Sequence, residues 1–160
     1  MGRRLNYLDA QVKKPYAQFH RDNSAQSFAA NTFTTMVFDN PAVESYLIQN
    51  NSGGDEMTFQ IKGIYLVTLG YRAGSGADVW TTHRVIKTTG GAVVGHTNGF
   101  GQTNGDPSQF TSTFLIDVDD LSTTYKLQLG RLNGTMTPSN PSISDASSQH
   151  ANVTWISAKW

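Results

Sequence analysis

Met57-Thr58-Phe59-Gln60-Ile61-Lys62-Gly63-Ile64-Tyr65-Leu66-Val67-Thr68-Leu69-Gly70-Tyr71 is the stretch on which the fold turns. Met57, Phe59, Ile61, Tyr65, Val67, Leu69 and Tyr71 all fall on odd positions, and Gly63 is the one gap. Side chains alternate across a strand, so period-two apolarity puts one face of a strand pair on a core. Ile64 and Leu66 occupy the opposite parity. The second strand is therefore expected to be apolar on both sides, with the core on one and a partner subunit on the other.

Further short strands are expected on both sides of this pair. Phe33 to Phe38 is β-branched and aromatic and stops at Asp39-Asn40-Pro41. Val79 to Lys87 and Ala92 to Thr97 flank Thr88-Thr89-Gly90-Gly91, which reads as a hairpin because paired glycines suit a turn with positive φ. Phe110 to Val118, Tyr125 to Leu129 and Ala151 to Trp160 complete the set, and Ala42 to Leu47 would make one helical turn at most. Polar loops rich in Gly, Asn, Ser and Pro lie at 98–109 and 133–149. No internal repeat or long linker appears. Eight to ten antiparallel strands joined by turns read as one all-β sandwich or barrel, and periodicity alone leaves jelly-roll and immunoglobulin-like topologies open.

Composition agrees with one such domain. The chain has 160 residues, enough to bury a core without disulfides or metal. Charged residues make up only 15%, well below the usual quarter, and Thr, Ser, Asn, Gln and Gly take their place. Seventeen aromatic residues argue against disorder. The absence of Cys excludes disulfides, thiolate zinc sites and a cysteine nucleophile. No stretch approaches the roughly 18 apolar residues of a helical membrane span. The first residues lack the apolar segment of a secretory signal, so the three glycosylation sequons at Asn50, Asn133 and Asn152 are expected to be incidental.

Charge is zero overall but unevenly placed. Arg3, Arg4, Lys13 and Lys14 against Asp9 give residues 1–14 a net charge of +3, and the remainder carries −3. This points to a basic interaction arm, residues 1–16, on a body spanning 17–160. No chemistry-bearing motif emerges. Gly74-Ser75-Gly76 lacks the spacing of a nucleophile elbow, and His20, His83, His96 and His150 are far apart in sequence. Asp117-Val118-Asp119-Asp120 could offer oxygen ligands but lacks the rest of a calcium loop and reads as a solvated bend. Gly99 to Gly105 has no Lys and no following helix, and the body carries no basic stripe for nucleic acid. No catalytic residue, metal or cofactor is expected.

The order of these segments resembles the tumour-necrosis-factor-like jelly roll shared with complement globular heads. The resemblance rests on the Gly63-Ile64-Tyr65-Leu66 entry into an aromatic strand, on Asn31 to Phe38 upstream, and on Phe114 to Leu129 and Val153-Thr154-Trp155-Ile156 downstream. Leu121-Ser122-Thr123-Thr124 stands where that family usually has Gly-Asp. The texture, rich in Thr, Ser, Gly and Asn, is similar to bacteriophage capsid decoration and fibre-tip proteins of this fold. The resemblance implies an antiparallel jelly-roll homotrimer with aromatic strands buried between subunits, which places Tyr65, Val67, Trp155 and Trp160 at the trimer interface.

Two functions follow as expectations. In the first, the trimer is a virion protein on the outer capsid surface, a decoration or cement subunit that stabilises the lattice. Arg3, Arg4, Lys13 and Lys14 would pair with acidic patches of the major capsid protein, and Leu5, Tyr7 and Leu8 would fill apolar grooves. In the second, the same trimer is a receptor-binding head. Its loops would read a host surface glycan or protein through Phe100, Asn104 and Asn140.

Overall fold

A computed structural model describes residues 15–21, 26–29, 31–38, 40–43, 47–73, 79–101, 108–131 and 149–158. Among these residues there is no helix, and eleven strands follow one another. They are β1 (Tyr16–Arg21), β2 (Phe33–Thr35), β3 (Asn40–Val43), β4 (Ile48–Asn50), β5 (Met57–Phe59), β6 (Gly63–Ala73), β7 (Val79–Lys87), β8 (Val93–Gly101), β9 (Ser108–Val118), β10 (Tyr125–Arg131) and β11 (Gln149–Ala158). One sheet has the order β3-β1-β11-β6-β9. The other has the order β4-β5-β10-β7-β8, with β2 also paired to β10. All pairings are antiparallel. The chain stays within one sheet from β4 to β5 and from β7 to β8 and changes sheet at every other step from β1 to β11, which makes the sandwich a jelly roll.

The 57–71 pattern resolves at such a crossing. Met57 and Phe59 enter the interior from the six-stranded sheet, and Tyr65, Val67, Leu69 and Tyr71 enter it from the five-stranded one. One parity serves both strands because both face the same core. Phe59 packs edge-on to Tyr65 (4.8 Å) and to Tyr125 (5.2 Å), the preferred geometry for aromatic quadrupoles. Each buried phenol finds an acceptor. Tyr65 donates to the Ile61 carbonyl at 2.7 Å, and Tyr125 donates to the Asp120 carbonyl at 2.7 Å. The gap at Gly63 has a steric cause. A Cβ there would lie 2.3 Å from the Ser157 carbonyl oxygen and 2.7 Å from the Trp155 indole nitrogen. The register of β11 against β6 shifts at this point, between Trp155 and Ser157.

The expected hairpin forms between β7 and β8. Lys87 N–H donates to the Ala92 carbonyl at 2.9 Å, and Gly90 and Gly91 both take positive φ (77° and 66°). At one side of the sandwich, β8 meets β9. A Cβ on Gly95 would lie 2.3 Å from the Leu115 carbonyl oxygen and 2.7 Å from Ile116 Cγ2. Only glycine allows the two sheets to approach this closely.

Several boundaries differ from the sequence expectation. Of the residues assigned to the arm, Tyr16 opens β1 and Pro15 leads into it. The Pro15 carbonyl accepts from Trp155 N–H at 2.9 Å, and Tyr16 pairs with Thr154. The strand expected at 33–38 is regular only to Thr35. Met36 and Phe38 then turn inward, fully or almost fully buried, with Phe38 N–H on the Gly54 carbonyl. Part of the expected helical turn at 42–47 is strand β3, which runs to Val43.

Candidate assembly interface

The outer face of the five-stranded sheet follows from the strand registers. Tyr16, Thr154, Leu66 and Leu115 form one row across β1, β11, β6 and β9. Gln18, Asn152, Thr68 and Thr113 form the next, and His20, His150, Gly70 and Thr111 the one beyond. Ser157, Ile64 and Asp117 lie on the other side, beside Ile156 at the register shift. Leu115 is 55% exposed, Ile156 51% and Tyr16 37%. Leu66 and Ile64 are half-buried between them. The polar members are neutral. Thr68 and Thr113 share a hydrogen bond at 3.2 Å, and Tyr16 donates to Asn152 Oδ1 at 3.3 Å. Among the described side chains of this face Asp117 is the one carboxylate, and no Lys or Arg appears.

His20 and His150 stand directly opposite each other, ring centroids 6.4 Å apart. The His150 ring lies across Gly70, where a Cβ would come within 2.0 Å of its Cε1. Desolvation, then the neighbouring His20, push the His150 imidazole below its ordinary pKa. The neutral form of the His150 ring is therefore favoured here.

The outer face of the six-stranded sheet is different in kind. Lys126 bridges Asp55 and Glu56 at 3.4 and 3.1 Å. At the end of the sandwich, Lys87, the register partner of Tyr125, meets Asp119 of the bend after β9 at 2.6 Å. A hydrogen bond from Asn51 and the nearby Lys126 hold the Asp55 carboxyl below the usual range. Arg84 lies 3.5 Å over the Phe33 ring and donates to Gln128 at 2.8 Å. Exposed ion pairs of this kind contribute little to stability but keep a surface hydrated. One face thus carries ion pairs, and the described side chains of the other are uncharged apart from Asp117 and partly apolar, with Arg72 at the register position two residues beyond Gly70 in β6. The second is the face suited to burial against protein.

The expected site residues distribute unevenly over this geometry. Tyr65 and Val67, expected at a trimer interface, have no exposed surface at all. They fill the core of the single chain, so the face that β6 offers a neighbour carries Ile64 and Leu66 instead. Trp155 is half-buried and packs against the same core. Trp160, Arg3, Arg4, Leu5, Tyr7, Leu8, Lys13, Lys14, Asn104 and Asn140 lie outside the described residues. The Phe100 backbone pairs with Trp80 at the β7–β8 end. Leu115, Ile156 and Tyr16 were not singled out from sequence. Leu115 sits between Phe114 and Ile116, where an outward apolar residue reads as part of one continuous run.

The acidic bend does not converge on a cation. Asp119 pairs with Lys87, and Asp120 Oδ1 accepts from both the N–H and the hydroxyl of Ser122, which lowers its pKa. Among the described residues no three His, Asp or Glu side chains form a metal-binding group. His83 Nδ1 and Ser112 Oγ are 2.7 Å apart, but both are buried between the sheets. Desolvation lowers the His83 pKa to about 4, so it is neutral near pH 7.

No protein-family model matches the sequence, and no curated protein matches it. Solved structures do match in shape. The structure of Eiger TNF from S. frugiperda superposes with a TM-score of 0.64 at 11% identity, covering 92% of this chain and 95% of that one. Murine APRIL at pH 5.0 superposes with a TM-score of 0.61 at 10% identity, covering 90% of this chain and all of that one. At such identities the likeness is one of fold. The sheet orders, the crossings between sheets and these superpositions agree: the chain has the tumour-necrosis-factor-like jelly-roll fold.

Proposed function

We propose that this protein acts by association and not by catalysis. Three copies assemble through the outer face of the five-stranded sheet, and the trimer serves as a structural subunit on the outer surface of a virion. The observation that carries this reading is the face on which Tyr16, Ile64, Leu66, Leu115 and Ile156 lie together. Completing the burial of a half-exposed Leu or Ile side chain contributes about half of the roughly 1.5–3 kcal/mol of full burial, and the cluster is repeated in each copy to offset the cost of association. The basic stretch at 1–14 supports attachment to an acidic lattice of the major capsid protein, outside the trimer contact. A subunit that binds only the assembled lattice stabilises it by mass action.

Deleting residues 1–14 tests the attachment. The shortened protein is expected to keep its oligomeric mass and to lose occupancy on capsids. Full occupancy without the arm rejects it as the capsid contact.

One observation favours a second reading, a receptor-binding head. Phe33 is 41% exposed beside a pocket of about 210 Å³ lined also by Asn31, Thr32, Thr82, Gly130 and Arg131. An aromatic ring beside hydroxyl, amide and guanidinium groups suits a sugar of a host surface glycan. Saturable binding of a glycan by the isolated protein, lost in Phe33→Ala, would favour this reading over decoration.

A further inference from the structure

One end of the sandwich interior is polar. Tyr71, Thr81, His83, Ser112, Arg131 and Gln149 all point inward there, and none is more than 8% exposed. Tyr71 is the hub. Its hydroxyl donates to Thr81 Oγ1 at 3.1 Å, its ring meets the His83 ring edge-on at 5.4 Å, and Gln149 is its register partner across β6 and β11. Arg131 is the register partner of Thr81 across β10 and β7, and it acts electrostatically on Tyr71. His83 pairs with Leu129, two residues before Arg131. The two cationic-type side chains are therefore diagonal neighbours on one inward face, a separation that long side chains span.

The hydrogen bonds of this cluster do not close. Arg131 is 6% exposed, yet its Nε and Nη1 donate to no described residue. His83 Nε2 and Gln149 Oε1 are likewise buried and unmatched. With Ser112 Oγ at its Nδ1, a neutral His83 is left with an N–H at Nε2 if the hydroxyl donates. Among the described residues no carboxylate pairs with Arg131, and Tyr71 is the one titratable group acting on it. A guanidinium stays charged at any ordinary pH. A buried cation with free N–H donors is strongly unfavourable, and a water molecule would satisfy a donor without neutralising the charge.

We propose that this polar end of the core is an anion-binding site, in which one small anion, a halide or an oxyanion of phosphate size, is held by Arg131 with His83 Nε2–H as a second donor. The bound anion closes the charge balance of the core and ties β10 and β7 to β6 through Tyr71. Its role is structural, and it is independent of how the chains assemble.

Thermal unfolding of the full-length protein, in chloride and in inorganic phosphate at constant ionic strength, tests this. At least one anion is expected to raise the midpoint saturably by several degrees. The rise should vanish in Arg131→Met and persist in Lys62→Met, which removes an exposed cation. Identical responses in the unsubstituted protein and Arg131→Met would overturn the proposal, as would a response to neither anion. Should Arg131→Met fail to fold, crystals of the unsubstituted protein grown in bromide decide the matter. An anomalous peak within hydrogen-bond distance of the Arg131 guanidinium is expected, and density there for water alone would overturn the site.

Discussion

Single residues set both the packing and the pH response of this protein. Gly95 lets β8 approach β9, so Gly95→Ala is expected to cost about 1–3 kcal/mol, read as a lower denaturation midpoint. Gly70 is constrained by a side chain instead of backbone. Gly70→Ala should destabilise less when combined with His150→Ala than the sum of the single changes, because the clash is with the His150 ring. His83 gives the fold an acid limit. Its folded-state pKa lies near 4, below the ordinary 6.5, because burial disfavours the charged ring. The unfolded chain therefore takes up the proton first. The stability that His83 contributes is complete above about pH 6.5 and is lost as the pH falls toward 4, by at most about 3 kcal/mol. His150 is shifted the same way and adds to the loss. Replacing His83→Leu together with Ser112→Ala should flatten this part of the stability curve, and an unchanged slope would remove His83 as its cause.

At the scale of strands, what could be read in advance depended on what each strand faces. The 57–71 segment was legible because β5 and β6 deliver the same parity to one core. Strand β1 was not, since Ala17 and Phe19 are its two buried apolar side chains among six residues. Strand β7 hides its inward face because Thr81 and His83 stand where apolar residues would mark it. Half of the candidate interface was legible as well. Ile64 and Leu66 betray a second apolar face on β6, whereas Tyr65 and Val67 have the composition of an interface and the parity of a core. Aromatic content alone does not separate the two, and only the alternation does. Strand β9 carries the sharpest test. Leu115 faces outward and is half exposed, so Leu115→Lys is expected to change single-chain stability by no more than about 0.5 kcal/mol while disrupting assembly. Circular dichroism with an unchanged unfolding curve at low protein concentration, beside a reduced solution mass, would show the separation. A large loss of stability in the dissociated chain would mean that Leu115 belongs to the core.

For the whole molecule, the two sheets divide the labour. The six-stranded sheet keeps an ionic outer surface in water through Lys126 with Asp55 and Glu56. The five-stranded sheet presents the face with exposed apolar side chains. The tumour-necrosis-factor-like fold supplies the scaffold, and in the proposed function the residues on that face drive assembly. The most direct test is the solution mass by light scattering, on the unsubstituted protein and on the double variant Leu115→Lys with Ile156→Lys. The account predicts a mass of three times 17.5 kDa for the first and of one chain for the second. A single-chain mass for the unsubstituted protein, or a trimer unaffected by both lysines, would contradict assembly through this face.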